Sequence, residues 1–267
     1  MNNKVAIIGL GPTGSFAAKA AYDQGCEVDI FATQTPAVPP GAFWLHWIPQ
    51  DVTKKFKPEE ILITASGNAR DYVMRQWQGN YPSSFPENDM TEEGYNPADI
   101  LPNLVPAECT LNLISTPLSD EDVADLASGY GLVFQTFATK ESKQQQPALV
   151  PYCAAAKFGT NHDTNIVWYN GTKRGLFVRT ARLFGNDFVE FPKRMELPEV
   201  TEIMKRSGMT GYDVTVLKDI DPRTKPWQSP DTNIKLLGRF AEWDRSVLSH
   251  DAYNKVTKYI KEFRRGK

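Results

Sequence analysis

Lys4-Val5-Ala6-Ile7-Ile8-Gly9-Leu10-Gly11-Pro12-Thr13-Gly14, continued by Ser15 to Gln24, Gly25 and Glu27-Val28-Asp29-Ile30-Phe31, is the stretch that decides the fold. Its first five residues are an apolar, β-branched run ended by glycine, the pattern of a buried parallel strand. Beyond the turn, Phe16, Ala17, Ala20 and Ala21 recur at helical spacing and Gly25 supplies a stop. Residues 27–31 make the second strand. Strand, glycine-rich turn, helix and strand within about thirty residues is the setting in which G-x-G-x-x-G acts as a dinucleotide fingerprint. Gly9 permits the tight turn, Gly11 lets the backbone approach a pyrophosphate, and Gly14 lets the helix pack close to the strand. Pro12 and Thr13 open a helix whose N-terminal N–H groups and dipole favour phosphate.

The acidic residue that usually ends the second strand and binds the adenosine ribose is missing. Ala32 stands there, followed by Thr33 and Gln34, so ribose must be held by Thr33, by backbone or by water. No arginine is placed for a 2′-phosphate either, which weakens the case for ordinary NAD or NADP binding.

Working outward, 267 residues with 41% apolar and 23% charged side chains describe a globular chain with a sizeable core. No apolar run reaches the roughly 18 residues of a membrane span, and Met1-Asn2-Asn3-Lys4 lacks the pattern of a signal peptide, so a cytoplasmic protein is expected. Cys26, Cys109 and Cys153 form neither a disulfide framework nor a zinc spacing, and no metal site is expected. A net charge of −2 gives no general pull toward nucleic acid, although a local DNA-binding patch is left open. The basic residues from Lys258 to Lys267 read as complement to a helix C-terminus.

Residues 33–49 carry five prolines and glycines together with Phe43, Trp44, His46 and Trp47. Glu60 to Ser66 reads as a strand and Ala69 to Gln78 as a helix, while Tyr81 to Pro106 reads as an excursion or lid. Cys109 to Ile114, a helix capped by Ser119 and a strand from Leu132 to Phe137 extend the first sheet. Asn165–Tyr169, Leu176–Leu183 and Phe188–Phe191 alternate as antiparallel strands with turns at Asn170-Gly171 and Gly185-Asn186. Asn233 to Leu237 is a strand, Gly238-Arg239 a turn, and Ser249 the N-cap of a final helix running to Arg264.

Leu236-Leu237-Gly238-Arg239-Phe240-Ala241-Glu242-Trp243-Asp244, running into that helix, resembles the last FAD-binding motif of the UDP-galactopyranose mutase and amine oxidase superfamily. The resemblance is firm over residues 5–31 and 234–256 and thin between them. It implies that Gly238 and Arg239 pass the FAD pyrophosphate and ribityl chain, and that the final helix, with His250 beside its start, points at the flavin. Gly41 to Pro49, Arg182-Leu183-Phe184-Gly185 and the block from Gly238 to Tyr253 are similar to short FAD-dependent bacteriophage proteins. Some of these resemble the FAD-dependent lyases of thymine hypermodification, which would make the substrate a glycine-like adduct on thymine.

The expected architecture is therefore a single α/β flavoprotein unit. A Rossmann-type FAD lobe (1–50, 107–150 and 228–267) with a parallel sheet carries a cap lobe (51–106 and 151–227) with antiparallel strands. Its cofactor-binding residues would be Gly9, Gly11, Pro12, Thr13, Gly14, Thr33, Trp44, Gly238, Arg239 and His250. His46 reads either as a proton donor or acceptor at the flavin or as an imidazole bonded to backbone. His162 reads as a surface residue. Arg179 and Arg182 face opposite sides of a strand; Arg182 is the choice to clamp a substrate anion, and a surface salt bridge is its competing account. Trp168 and Tyr169 read either as a stack for a planar substrate or as a buried aromatic core pair. The expected activity is oxidation of a C–N bond by an FAD-dependent oxidoreductase or lyase. The alternatives are a UDP-sugar mutase-like or hydroxylating flavoenzyme, and a flavin-binding protein without catalysis. The partner would be a small molecule or a modified nucleobase.

Overall fold

The computed structural model describes residues 3–35, 41, 43–77, 85–137, 149–220, 233–242, 244 and 246–266. Ala42, Trp243, the prolines at 36, 39 and 40, and the 144–146 glutamine tract lie outside them. The chain begins with β1 (Lys4–Ile8), α1 (Pro12–Asp23), β2 (Glu27–Ala32), α2 (Gln50–Thr53), β3 (Glu59–Gly67) and α3 (Ala69–Trp77). It continues through β4 (Met90–Gly94), α4 (Pro97–Leu104), β5 (Thr110–Leu113), α5 (Asp120–Gly129), β6 (Leu132–Gln135) and β7 (Leu149–Lys157). Then follow β8 (Asn165–Gly171), β9 (Arg179–Leu183), β10 (Asn186–Glu190), α6 (Leu197–Arg206), β11 (Asp213–Ile220), β12 (Ile234–Leu236), α7 (Arg239–Glu242) and α8 (Asp251–Arg265).

The first sheet is parallel throughout, in the order β12-β6-β1-β2-β5. Its central strands are apolar on both faces because helices cover both. Val5 and Ile7 point to α1 and α8, whose Ala17, Ala20, Ala21, Ala252, Val256 and Ile260 share one core with them. Ala6 and Ile8 point to α5 through Val123 and Ala127. Small residues on α1 bring α8 close, which explains an alanine-rich helix in the middle of the molecule.

The second sheet has seven strands in the order β11-β7-β10-β9-β8-β3-β4, antiparallel except for the β3–β8 pair. One face, here called inner, carries Ile61, Ile63, Val167, Ala181, Leu183 and Phe188 and packs with Trp44 and with Tyr72 and Val73 of α3. The opposite face is covered at one end by Val200 and Met204 of α6, packed on Cys153, Val189 and Phe191.

Four readings of the sequence need correction. The 81–106 stretch contains β4 and α4 among its described residues, and Ile100, Leu101 and Leu104 of α4 pack in the α1 core together with Val52 of α2. The β9–β10 turn is made by Phe184 and Gly185, one residue earlier than expected, both with positive φ of 52° and 72°. Two such residues suit a hairpin's twist, and Phe184 is held there by donating its N–H to Asn165 Oδ1 at 2.7 Å. The β9 strand begins at Arg179 rather than Leu176. Finally, His250, not Ser249, occupies the N-cap of α8; the Asp251 carboxylate in the first turn accepts the Leu248 N–H at 2.8 Å instead.

The fit between β1 and α1 is tightest at Gly14, where a Cβ would strike the carbonyl oxygen of Gly9. Gly14→Ala should destabilise the protein by about 1–3 kcal/mol through overpacking against backbone that cannot move aside, read as a lowered urea midpoint with unchanged m-value.

Candidate functional site

The carboxyl ends of β1, β6 and β12 converge on the glycine turn. Gly9, with φ of +94°, donates its N–H to the Phe31 carbonyl at 2.8 Å, tying the turn to the end of β2. Thr136 donates its N–H at 3.0 Å and its hydroxyl at 2.9 Å to the Ile8 carbonyl, and Leu237 donates its N–H to Gln135 at 2.8 Å. Gly238, with φ of +84°, folds over α1: a Cβ there would stand 2.6 Å from Thr13 Oγ1. Gly11 is the N-cap of α1 and Pro12 its first residue, and a Cβ built on Gly11 meets no protein atom within 4 Å. Open space in front of a helix N-terminus, framed by Gly9, Thr13 and Gly238, is a cradle for a diphosphate. Thr33 is exposed just past β2, where a ribose hydroxyl could meet it.

Residues 43–48 bridge the two sheets, Trp44 packing in the core of the second and Leu45 and Ile48 in that of the first. Leu45 pairs with Tyr95 through two backbone hydrogen bonds of 3.1 and 2.9 Å. The loop brings aromatic rings against the starts of α1 and α8. Trp47 stacks on Phe16 with centroids 6.3 Å apart and lies 5.4 Å from Tyr253, while His46 lies 5.3 Å from Trp44 and 6.3 Å from His250. His46 Nδ1 also stands 3.5 Å from Glu92 Oε2 on β4. Two buried polar atoms here, Trp44 Nε1 and Glu92 Oε2, have no hydrogen-bond partner among the described residues. Burial holds the His250 imidazole below its ordinary pKa, Asp251 opposes that shift, and His46 adds to it. His250 is therefore neutral at pH 7.

A second polar group sits on the inner face of the seven-stranded sheet, at the end nearest Gly238. Arg179 grips Glu190 bidentately, with Nε to Oε2 at 3.0 Å and Nη2 to Oε1 at 2.6 Å, and its Nη1 reaches the Tyr169 hydroxyl at 3.4 Å. Lys193 is 3.4 Å from Asp219 Oδ2 and lies 3.2 Å from the centre of the Tyr152 ring. Arg239 approaches Asp219 Oδ1 at 4.0 Å, and a Cβ on Gly41 would stand 3.3 Å from Glu190 Oε1. The two sheets thus face each other across Gly41, Arg239 and this charged belt. Tyr152 lies in the field of Glu190, Asp219, Arg179 and Arg239; burial, reinforced by the two carboxylates, raises its pKa and keeps the hydroxyl protonated.

The expected meeting of His46 with Arg182 does not occur across this face. Arg182 points to the other side of β9, with 59% of its side chain exposed and its Nε 3.8 Å from Asp187 Oδ1. His162 joins the same group at 2.8 Å from Asp187 and is partly buried rather than a free surface residue. Trp168 is exposed on that outer side, whereas Tyr169 is buried against Arg179. Strand parity alone separates Arg179 from Arg182, but choosing between them requires knowing which face the other lobe covers. Tyr152, Glu190, Lys193, Asp219 and Glu92 carry no local signature and were not singled out by the sequence.

No helix among the described residues is long and apolar enough to cross a membrane, and no cluster of three potential metal ligands occurs among them.

No family model and no curated protein matches this chain. Solved structures do match in fold. Glycine oxidase from Geobacillus kaustophilus aligns at a TM-score of 0.59 and 11% identity over 98% of this chain and 95% of that one. Glycine oxidase from Bacillus cereus gives 0.54 and 11% over 99% and 95%. An FAD-dependent oxidoreductase from Pseudomonas aeruginosa gives 0.50 and 10% over 97% and 90%. The Rossmann-type parallel sheet joined to a mixed sheet is thus the fold these proteins share with the chain.

Two measurements check the site's energetics. Arg179→Ala, which leaves Glu190 buried without its cation, should cost about 3 kcal/mol of stability, whereas Arg182→Ala should cost under about 0.5 kcal/mol. Because His250 is harder to protonate folded than unfolded, its contribution to stability is lost as the pH falls through the ordinary value of 6.5. Between pH 7 and 5, His250→Asn should therefore lose stability less steeply than the wild type in denaturant titrations.

Proposed function

We propose that the chain is an FAD-dependent oxidoreductase that oxidises a C–N bond of an amine or amino acid. The observation that carries this reading is the space at Gly11. A helix N-terminus, a fingerprint turn and Gly238 packed on Thr13 frame a diphosphate cradle, and the charged belt of the second sheet faces the same strand ends. Glycine oxidases sharing this fold along nearly their whole length support an amino-acid-like substrate.

When bound, FAD would supply the acceptor for a hydride from the carbon beside the amine nitrogen. The chain's residues would do the rest. Gly9, Gly11, Pro12, Thr13, Gly14, Gly238 and Arg239 would hold the diphosphate and ribityl region, with Thr33 at the ribose. Trp44 and His250 would border the ring. The anion clamp expected at Arg182 is not on this face, where Tyr152 would offer the substrate a neutral hydroxyl donor. Arg179 is already neutralised by Glu190 and serves to hold the belt rigid. The resemblance to the thymine hypermodification lyases narrows the substrate further to a glycine-like adduct on thymine, releasing glyoxylate and an aminomethyl base after hydrolysis of the imine.

Purified protein should be yellow and release one FAD per chain on denaturation. Gly11→Val should still fold, because a Cβ at this position meets no protein atom within 4 Å, yet retain little FAD. A colourless wild type, or a Gly11→Val variant with full FAD occupancy, refutes the cofactor assignment. Anaerobic bleaching by glycine-like amines, but not by UDP-sugars or NAD(P)H, separates amine oxidation from the mutase and hydroxylase alternatives.

A further inference from the structure

Glu92 lies on β4, far in sequence from the aromatic loop, yet its Oε2 is shielded from solvent and has no hydrogen-bond partner among the described residues, with His46 Nδ1 3.5 Å away. A shielded carboxylate oxygen is costly to leave without a donor. A neutral imidazole carries one N–H, on either nitrogen, and the partner at one nitrogen decides which. A proton on Nδ1 answers Glu92 and leaves the lone pair on Nε2. The other groups facing His46 are Trp44 on its own loop and His250 at the start of α8, with Asp251 3.9 Å from the His250 ring nitrogen. Trp44 Nε1, an N–H donor, is the other buried polar atom of this cluster without a partner among the described residues.

We infer that Glu92 is a positioning residue that holds His46 in its Nδ1–H tautomer, so that Nε2 is the base that takes the proton from the substrate nitrogen. The inference rests on the reading of this chain as an FAD-dependent amine oxidant. The substrate N–H bond breaks and its proton passes to His46 Nε2. The nitrogen's electron pair would form the C=N bond as the neighbouring C–H is lost as hydride, for which FAD, when bound, would be the two-electron acceptor; the imine would then add water.

The test is nitrogen-15 NMR of histidine-labelled protein at about pH 8, where a neutral imidazole reports its tautomer directly, with His46→Asn to assign the signal. His46 should be the Nδ1–H tautomer in wild type and in Trp44→Phe. Glu92→Gln, whose amide oxygen can still accept, should preserve it, and Glu92→Leu should shift it toward Nε2–H. In flavin-loaded protein, anaerobic reduction should slow about 10–100-fold in Glu92→Leu with substrate Kd unchanged, and should stay within about threefold of wild type in Glu92→Gln. An Nε2–H tautomer in wild type overturns the inference, and this measurement decides even where Glu92→Leu does not fold. An unchanged tautomer in Glu92→Leu, or wild-type reduction despite a shifted one, also overturns it. The NMR readings stand in protein that holds no flavin, so failure of the cofactor assignment is seen separately, as loss of colour.

Discussion

The approach of α1 to β1 at Gly14 leaves no room for a side chain against the Gly9 carbonyl, and the rest of the molecule is arranged around that contact. It fixes where the helix begins, and hence where its unbonded N–H groups point. It also sets how deeply α1 sits, so that a face of alanines rather than larger residues meets α8. With α1 in place, Gly238 must bend sharply to pass Thr13, which aims Arg239 across at Asp219 on the second sheet. A tight strand–helix fit thereby sets the geometry of the site at the carboxyl ends of the same strands.

The second sheet contributes chemistry of another kind. Its inner face is apolar over most of its area, and the polar belt occupies the end that meets the first lobe. Burying Glu190 beside Arg179 is tolerable because the pairing is bidentate and a tyrosine hydroxyl meets the remaining N–H. Such a belt is stiff, since each member is held by another. Stiffness suits a site that must keep a substrate carbon aligned with a cofactor to within a fraction of an ångström.

The first lobe was legible in sequence because its signals are local. Glycine spacing, β-branched runs and the Gly238-Arg239 turn each report on their own few residues. The Ser249 cap failed because a cap is decided by which side chain reaches which N–H: the helix starts one residue later, at His250, and the Asp251 carboxylate reaches back to the Leu248 N–H. Glu92 was illegible for a deeper reason: it meets His46 only because β4 pairs with β3 at the sheet edge and Tyr95 then bonds to Leu45. The belt likewise joins residues from β7, β9, β10 and β11 with Lys193, brought together by antiparallel register. Arg179 and Arg182 were separated correctly by parity, yet parity cannot say which side is covered.

The order of strands has a kinetic consequence. β1 and α1 precede in the chain everything they pack with, and α8, which covers the alanine face of α1, comes after all the strands, so that face stays open until the last helix is made. Contacts of such sequence separation slow folding, because loop closure must be met before any of them rewards it. During that interval the nascent chain displays the alanine face of α1 to whatever else is nearby. Chaperone dependence, and sensitivity to truncation at the C-terminal end, are thus written into the same interleaving that builds the site.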